Sequence, residues 1–287
     1  MKSVESIKAK LKNEAVKSGR LYNEVLTMYF IERMLYRVSI SPYLDKFVLK
    51  GGVLLYMMYD KKYPRATADI DFLASDISND MHEIKDIFHD ILRVSYKEDY
   101  ITYDFNNLEV SEITTGNTYK GVTVSVISYL GNVKQKISID IGFGDIVVPN
   151  TTSMELPVIL EVERPILNVY SKESIISEKL DAIIKLGELN SRYKDYYDIY
   201  KLLSTTKFDR NILKNAIYET LQNRGTKFER TIFVNEEYIN STSTERMWNN
   251  MKRKRHIEEK LSFVDCVDYI NKYLGTIIEE IGGLLWK

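Results

Sequence analysis

The sequence predicts an α/β fold on three observations. Apolar residues recur at helical spacing before residue 40, segments of period two fill about 100–145, and helical spacing returns after Pro165. Taken in order, residues 3–18 read as an amphipathic helix. Residues 21–39 make a second, more apolar one, with Leu21, Val25, Leu26, Tyr29, Phe30, Met34 and Leu35 at helical spacing. Ser41-Pro42 ends it, because a proline ring disfavours helical conformation in the residue before it. Phe47-Val48-Leu49 is a short apolar run, Gly51-Gly52 follows, and Val53 to Tyr59 suits one or two helical turns before Pro64 punctuates the chain. Residues 68–74, ADIDFLA, alternate as a strand does, and Asn79 is placed to cap a helix through Arg93. YITYDF, EVSEIT, GVTVSVISYL and KQKISIDIGF then read as an antiparallel meander, with turns marked by Gly116-Asn117, Gly131-Asn132 and Gly142. Helices are expected at 174–189, 194–203, 210–222, 243–256 and 261–281. One boundary near 165 separates N-terminal helices and an α/β core (1–165) from a helical lobe (166–287).

Composition excludes several classes. The 287 residues are 44% hydrophobic and 28% charged, which suits a chain that buries a core. With 40 basic and 41 acidic residues the net charge is -1, so contact with nucleic acid or an acidic membrane requires a local patch. The single cysteine, Cys266, excludes an internal disulfide framework and a multi-cysteine metal site, and it sits in SFVDCVDYI with no histidine nearby, as a core residue would. His82, His89 and His256 have no metal-ligand spacing. The polar N-terminus carries no apolar signal-peptide run, and no stretch reaches the roughly 18 apolar residues of a membrane span. The expected location is the cytoplasm, with no membrane partner. Charge is uneven, however. Asp69–Glu112 carries 12 acidic against 3 basic residues, and Arg192–Lys260 carries 15 basic against 10 acidic.

The acidic stretch holds Asp69-Ile70-Asp71-Phe72. On a strand, Asp69 and Asp71 project to one face because the side-chain period is two. Neighbouring carboxylates repel unless a cation lies between them, and hard oxygen ligands suit Mg²⁺. Asp140, flanked by Ile139 and Ile141, offers a third carboxylate on another strand; if the strands are adjacent, the three can complete a metal site for in-line displacement at phosphorus. The competing reading is a solvated strand face, although Asp is depleted in strands.

Upstream, Lys50-Gly51-Gly52 lies at an expected strand-to-helix turn. Glycines there let backbone N–H groups approach a phosphate, and the helix N-terminus favours an anion. A diglycine also serves ordinary tight turns. The spacings of a Walker A loop and of a dinucleotide-binding fingerprint are absent.

The combination is more specific than its parts. LKGGVLLYMMYDKKYPRATADIDF resembles the nucleotidyltransferase motif of the AbiEii toxin family, within the polymerase β-like superfamily. There a strand ending in Gly-Gly or Gly-Ser leads into a short helix, and R-x-[ST]-x-D-x-D-F follows; here those positions are Arg65, Thr67, Asp69, Asp71 and Phe72, and Asp140 in SIDIGFGD matches the third carboxylate. A helical motif of the same family, K-L-x-A-I…R…[KR]-D-x-x-D-L-Y, is met by Lys179, Leu180, Ala182, Ile183, Arg192, Lys194, Asp195, Asp198 and Tyr200, with Ile199 in place of Leu. Read alone, that segment is a solvated helix face with ion pairs, as most charged segments are. The resemblance spans about 45–205.

The resemblance implies a polymerase β-like core with a mixed or antiparallel sheet, followed by a helical lobe. It further implies an Mg²⁺- or Mn²⁺-dependent transfer of NMP from an NTP, bound between the lobes, to an acceptor hydroxyl. Asp69, Asp71 and Asp140 would hold metal. Lys50, Gly51, Gly52, Arg65, Thr67 and Arg192 would contact the nucleotide. Lys179 would neutralise triphosphate charge, with Asp195 or Asp198 orienting it or touching the nucleotide. Relatives are toxins of toxin–antitoxin systems that abort phage infection, partnered by a separate DNA-binding antitoxin, and some extend the tRNA 3′ end. Three alternatives stand beside this: an acceptor that is a protein or small molecule, a non-catalytic NTP-binding protein, and a metal-dependent nuclease. For an RNA acceptor, Lys252–Arg255 would supply backbone contacts, and Trp248 and Tyr269 would stack on bases.

Overall fold

The computed structural model describes residues 3–59, 68–113, 121–187, 192–226 and 235–285. Arg65, Thr67 and the Gly116-Asn117 turn therefore lie outside the described residues. The chain divides into two units, 1–144 with 152–169, and 145–151 with 170–287. Residue 165 falls within segment 152–169 of the first unit, and segment 145–151 groups with the later helices.

In the first unit, α1 (Val4–Ser18) begins where the Ser3 hydroxyl accepts from the Ser6 amide, and α2 (Tyr22–Ser39) follows. β1 (Phe47–Lys50) runs directly into α3 (Gly51–Met58), and β2 (Asp69–Ala74) comes next. α4 (Met81–Arg93) is capped by Asp80, not Asn79: the Asp80 carboxylate accepts from the His82 and Glu83 amides, and these bonds lower its pKa. A negative cap at that end also meets the positive end of the helix dipole, which favours Asp over its neutral neighbour.

β3 (Ile101–Ile113), β4 (Gly121–Leu130) and β5 (Val133–Phe143) form the expected antiparallel meander. Two details differ from the reading of the sequence. YITYDF and EVSEIT belong to one strand, whose register slips between Asp104 and Glu109. Gly142 sits inside β5 and makes no turn. Two short strands that the sequence reading lacks, β6 (Thr152–Glu155) and β7 (Ile166–Val169), complete a sheet of order β3-β4-β5-β2-β1-β7-β6. The sheet is mixed, since β5 pairs parallel with β2, and β1 parallel with β7, while the other neighbours are antiparallel.

Alternation assigns the two faces of this sheet. Ile70, Phe72, Val122, Val124, Ile139 and Ile141 are buried on one face, where Phe47 packs between Phe72 and Phe88 of α4 with ring centroids 5.4 and 5.5 Å apart. The intervening residues, Asp69, Asp71, Thr123 and Asp140, project to the other.

The second unit holds α5 (Lys172–Leu186), α6 (Tyr193–Thr205), α7 (Arg210–Asn223), α8 (Glu236–Ile239), α9 (Thr242–Lys254) and α10 (Phe263–Leu285). Tyr193, Tyr196, Tyr238 and Trp248 surround Phe263 at centroid distances of 5.0–6.2 Å. Arg224 ties segment 145–151 to α5, reaching Asp145 at 2.8 Å, Glu178 at 2.7 Å and Asp181 at 3.0 Å. Cys266 is buried, and burial raises its thiol pKa well above the ordinary value, so it is the core residue expected from its surroundings. Among the described residues no helix is long and apolar enough to cross a membrane.

Candidate active site

The strand register brings together what the sequence leaves far apart. Lys50 on β1 pairs with Asp71 on β2, Asp71 with Asp140 on β5, Asp140 with Thr123 on β4, and Thr123 with Ser111 on β3. Register partners on neighbouring strands lie about 4.8 Å apart and point to the same face. One polar row therefore crosses five strands, with Asp71 and Asp140 side by side near its middle. Asp69 is two residues along β2 on the same face, about 6.6 Å away, and is exposed. Thr123 Oγ1 donates to Asp140 Oδ1 at 2.7 Å and fixes that carboxylate's orientation. Thr123 is the site residue that sequence reasoning misses. Nothing in GVTVSVIS marks it, and only the pairing register places it beside Asp140.

The diglycine turn abuts this row. Gly51 has φ +69°, a left-handed conformation that favours glycine. A Cβ built on Gly51 would fall 1.9 Å from Asp71 Oδ2, 2.5 Å from Cγ and 2.8 Å from Cβ. The missing side chain thus makes the space in which the Asp71 carboxylate sits. Lys50 is the N-cap residue of α3 and makes no side-chain cap hydrogen bond. The first-turn amides of that helix are of the kind that receive anions.

Carboxylates in this arrangement are the oxygen donors a hard divalent cation takes. Among the described residues, no three His, Cys, Asp or Glu side chains are gathered so as to hold a metal ion as they stand. Holding one would take side-chain rotation on a backbone that already aligns two of the three carboxylates as strand partners.

The second candidate cluster lies wholly in the helical unit. Ser171 caps α5 by accepting from the Ser174 amide, and two turns later Lys179 leaves the helix toward α6. Its Nζ lies 2.8 Å from Asp195 Oδ1 and 2.6 Å from Asp198 Oδ2, and the three side chains are 12%, 5% and 0% exposed. Asp195 and Asp198 share a helix face at i,i+3, so one ammonium bridges both. Arg192, at the N-cap position of α6, approaches the other Asp195 oxygen at only 3.7 Å and is half exposed. The sequence-predicted Lys179, Asp195 and Asp198 are therefore brought together, with Arg192 at their edge.

The expected base-stacking surface is not formed as foreseen. Trp248 is fully buried, and its indole N–H donates to the Leu261 carbonyl at 2.8 Å. Lys252, one turn on, donates to the same carbonyl at 2.8 Å. Helical spacing puts the two on one inward face, so only Arg253 and Lys254 of the basic run are exposed. Tyr269 is half-buried between Tyr200 and Tyr273, with ring centroids 5.1 Å away on each side.

Comparison with known proteins adds the following. Residues 33–268 match the family described as nucleotidyl transferase AbiEii toxin, type IV toxin–antitoxin system. Among solved structures the chain is similar to JHP933 from Helicobacter pylori, at 13% identity and a TM-score of 0.50, over 92% of this chain and 93% of that one. It is also similar to an H. pylori structure described as a "putative nucleotidyltransferase", at 13% identity and a TM-score of 0.46, over 91% and 96%. No curated protein matches.

Proposed function

From its membership of the AbiEii nucleotidyltransferase toxin family, which makes the chain a nucleotidyltransferase of a type IV toxin–antitoxin system and implies an antitoxin partner, we propose that it transfers NMP from an NTP to an acceptor hydroxyl, with the tRNA 3′ end as acceptor and the cytoplasm as its place of action. The observation that carries this reading is the row Lys50–Asp71–Asp140–Thr123 set against a diglycine turn.

Roles follow from the chemistry of each group. Asp69, Asp71 and Asp140 would hold Mg²⁺ or Mn²⁺, which supplies neutralisation of phosphate charge and acidification of the attacking hydroxyl. Asp140, oriented by Thr123, would lie nearest that hydroxyl. The amides of Gly51 and Gly52 would receive phosphate oxygens, with Lys50 adding a positive charge in the same row. Arg65 and Thr67 would complete this contact. Lys179 would meet nucleotide phosphate charge, with Asp195 and Asp198 fixing its amine, and Arg192 would add a second cation.

The test is incubation of the full chain with each of four α-labelled NTPs, Mg²⁺ and total RNA, read on a denaturing gel. Label should enter RNA of tRNA size and lengthen it by whole nucleotides. Label confined to protein contradicts the tRNA acceptor, and shortening of RNA supports a nuclease instead.

A further inference from the structure

We propose that a cavity at the junction of α4 and β3 binds a second small ligand, a nucleoside monophosphate, apart from the carboxylate row. The cavity has a volume of about 760 Å³, within the usual range for small-molecule sites. Its walls include Ile101 and Tyr103, whose register partners on β4 are Leu130 and Ser128. Thr123, which marks the carboxylate row on the same strand, lies five to seven residues away, or about 17–23 Å. Odd and even positions of β4 also face opposite sides of the sheet, so Ile101 and Tyr103, through Leu130 and Ser128, lie on the face opposite Thr123.

Charge and shape specify the ligand. The cavity is lined by Arg37, Arg93 and Lys97 and by no acidic residue. Arg37 is already neutralised by Asp99, which accepts from both its terminal nitrogens at 2.6 and 3.1 Å. Arg93 and Lys97 are exposed, so the unbalanced positive charge sits at the rim, where an anionic group would rest. The walls supply aromatic faces from Tyr96, Tyr100 and Phe105. Phe105 stacks on His89 at 6.0 Å and is still 38% exposed. A flat ring bearing a phosphate fits that combination.

The polar atoms of the walls are chemically unfinished. Tyr96 Oη, Tyr103 Oη and Arg37 Nε lie buried behind the lining surface without hydrogen-bond partners, so a ligand's polar edge would meet them only after a side chain turns. Burial pushes the Tyr103 hydroxyl pKa up to about 12, so it stays a donor at neutral pH. Tyr100 is held at φ +56°, a strained conformation for a bulky residue, directly after the Asp99 that Arg37 pins. Aromatic faces in the walls and cations at the rim together match a ring and a phosphate.

The test is calorimetric titration of the full chain with AMP, CMP, GMP and UMP in the absence of divalent metal, with Asp71→Asn separating binding here from binding at the carboxylate row, so its failure is distinct from failure of the transferase reading. At least one should bind, and its nucleoside without phosphate should bind roughly tenfold more weakly or worse. Arg93→Glu with Lys97→Glu should weaken binding by roughly tenfold or more, and Asp71→Asn should leave it unchanged. In parallel, photolabelling of the unmodified chain with 8-azido-AMP should place the label between residues 93 and 105, which does not depend on the variants folding. Failure of all four monophosphates to bind overturns the proposal. So does binding lost with Asp71→Asn but kept in the charge-reversed variant, or label found only elsewhere.

Discussion

Gly51→Ala is expected to lower nucleotidyl transfer by roughly 100-fold or more, the effect of displacing a reacting group by about 1 Å. The added methyl would overlap the Asp71 carboxylate at 1.9 Å. Rotating that carboxylate does not relieve the clash, because Asp71 Cβ itself, fixed by the strand, lies 2.8 Å from the new atom. The β1–α3 turn and β2 must therefore part, and the Asp71–Asp140 pairing loosens with them. The left-handed φ adds a conformational cost of about 1–2 kcal/mol. A modest fall in Tm with a large fall in transfer rate is the expected pattern, checked by thermal melts beside the labelled-NTP assay. Transfer within threefold of wild type would show that the close approach of Gly51 to Asp71 has no part in the chemistry.

Lys179→Ala should behave in the opposite proportion, as a stability variant first. The ammonium bridges two carboxylates that are almost wholly buried, and Asp195 Oδ2 already lacks a hydrogen-bond partner. Removing the lysine leaves two like charges facing each other out of water, a change that costs about 3–5 kcal/mol. For a chain of this size that lowers Tm by about 10 °C. Adding Asp198→Asn should recover part of the loss, since one of the two stranded charges disappears. If Lys179→Ala melts with wild type, the bridge contributes nothing and the lysine serves the nucleotide alone. For this reason, lost activity in a Lys179 variant is informative about catalysis only once the melt is known.

How much of this was legible in the sequence depends on the range of the interaction. Asp69 and Asp71 were readable because strand geometry is local: two residues on one strand share a face wherever the strand sits. The diglycine turn was readable for the same reason. That Asp140 stands beside Asp71 was a conditional statement in the sequence, since no periodicity sets pairing between segments about 70 residues apart. The parallel register of β2 and β5 resolves it. Thr123 was invisible because threonine is ordinary in strands. β6 and β7, four residues each, are too short for alternation to distinguish them from loops. Trp248 beside a basic run reads as surface, while the i,i+4 relation to Lys252 turns both toward the Leu261 carbonyl. That Asp195 or Asp198 orients Lys179 is implied by the family resemblance, since spacing alone favours solvated ion pairs.

The central claim is that the carboxylate row on β2 and β5 is the metal-bearing catalytic centre. Its most direct test is the rate of label transfer as a function of Mg²⁺ concentration, in the wild-type chain and in an Asp71→Asn variant of matching Tm. The wild type should show a saturable dependence on Mg²⁺ that EDTA abolishes, and the variant should lose roughly 100-fold or more at every concentration. Transfer by Asp71→Asn at the wild-type rate, or wild-type transfer undiminished by EDTA, would contradict the assignment.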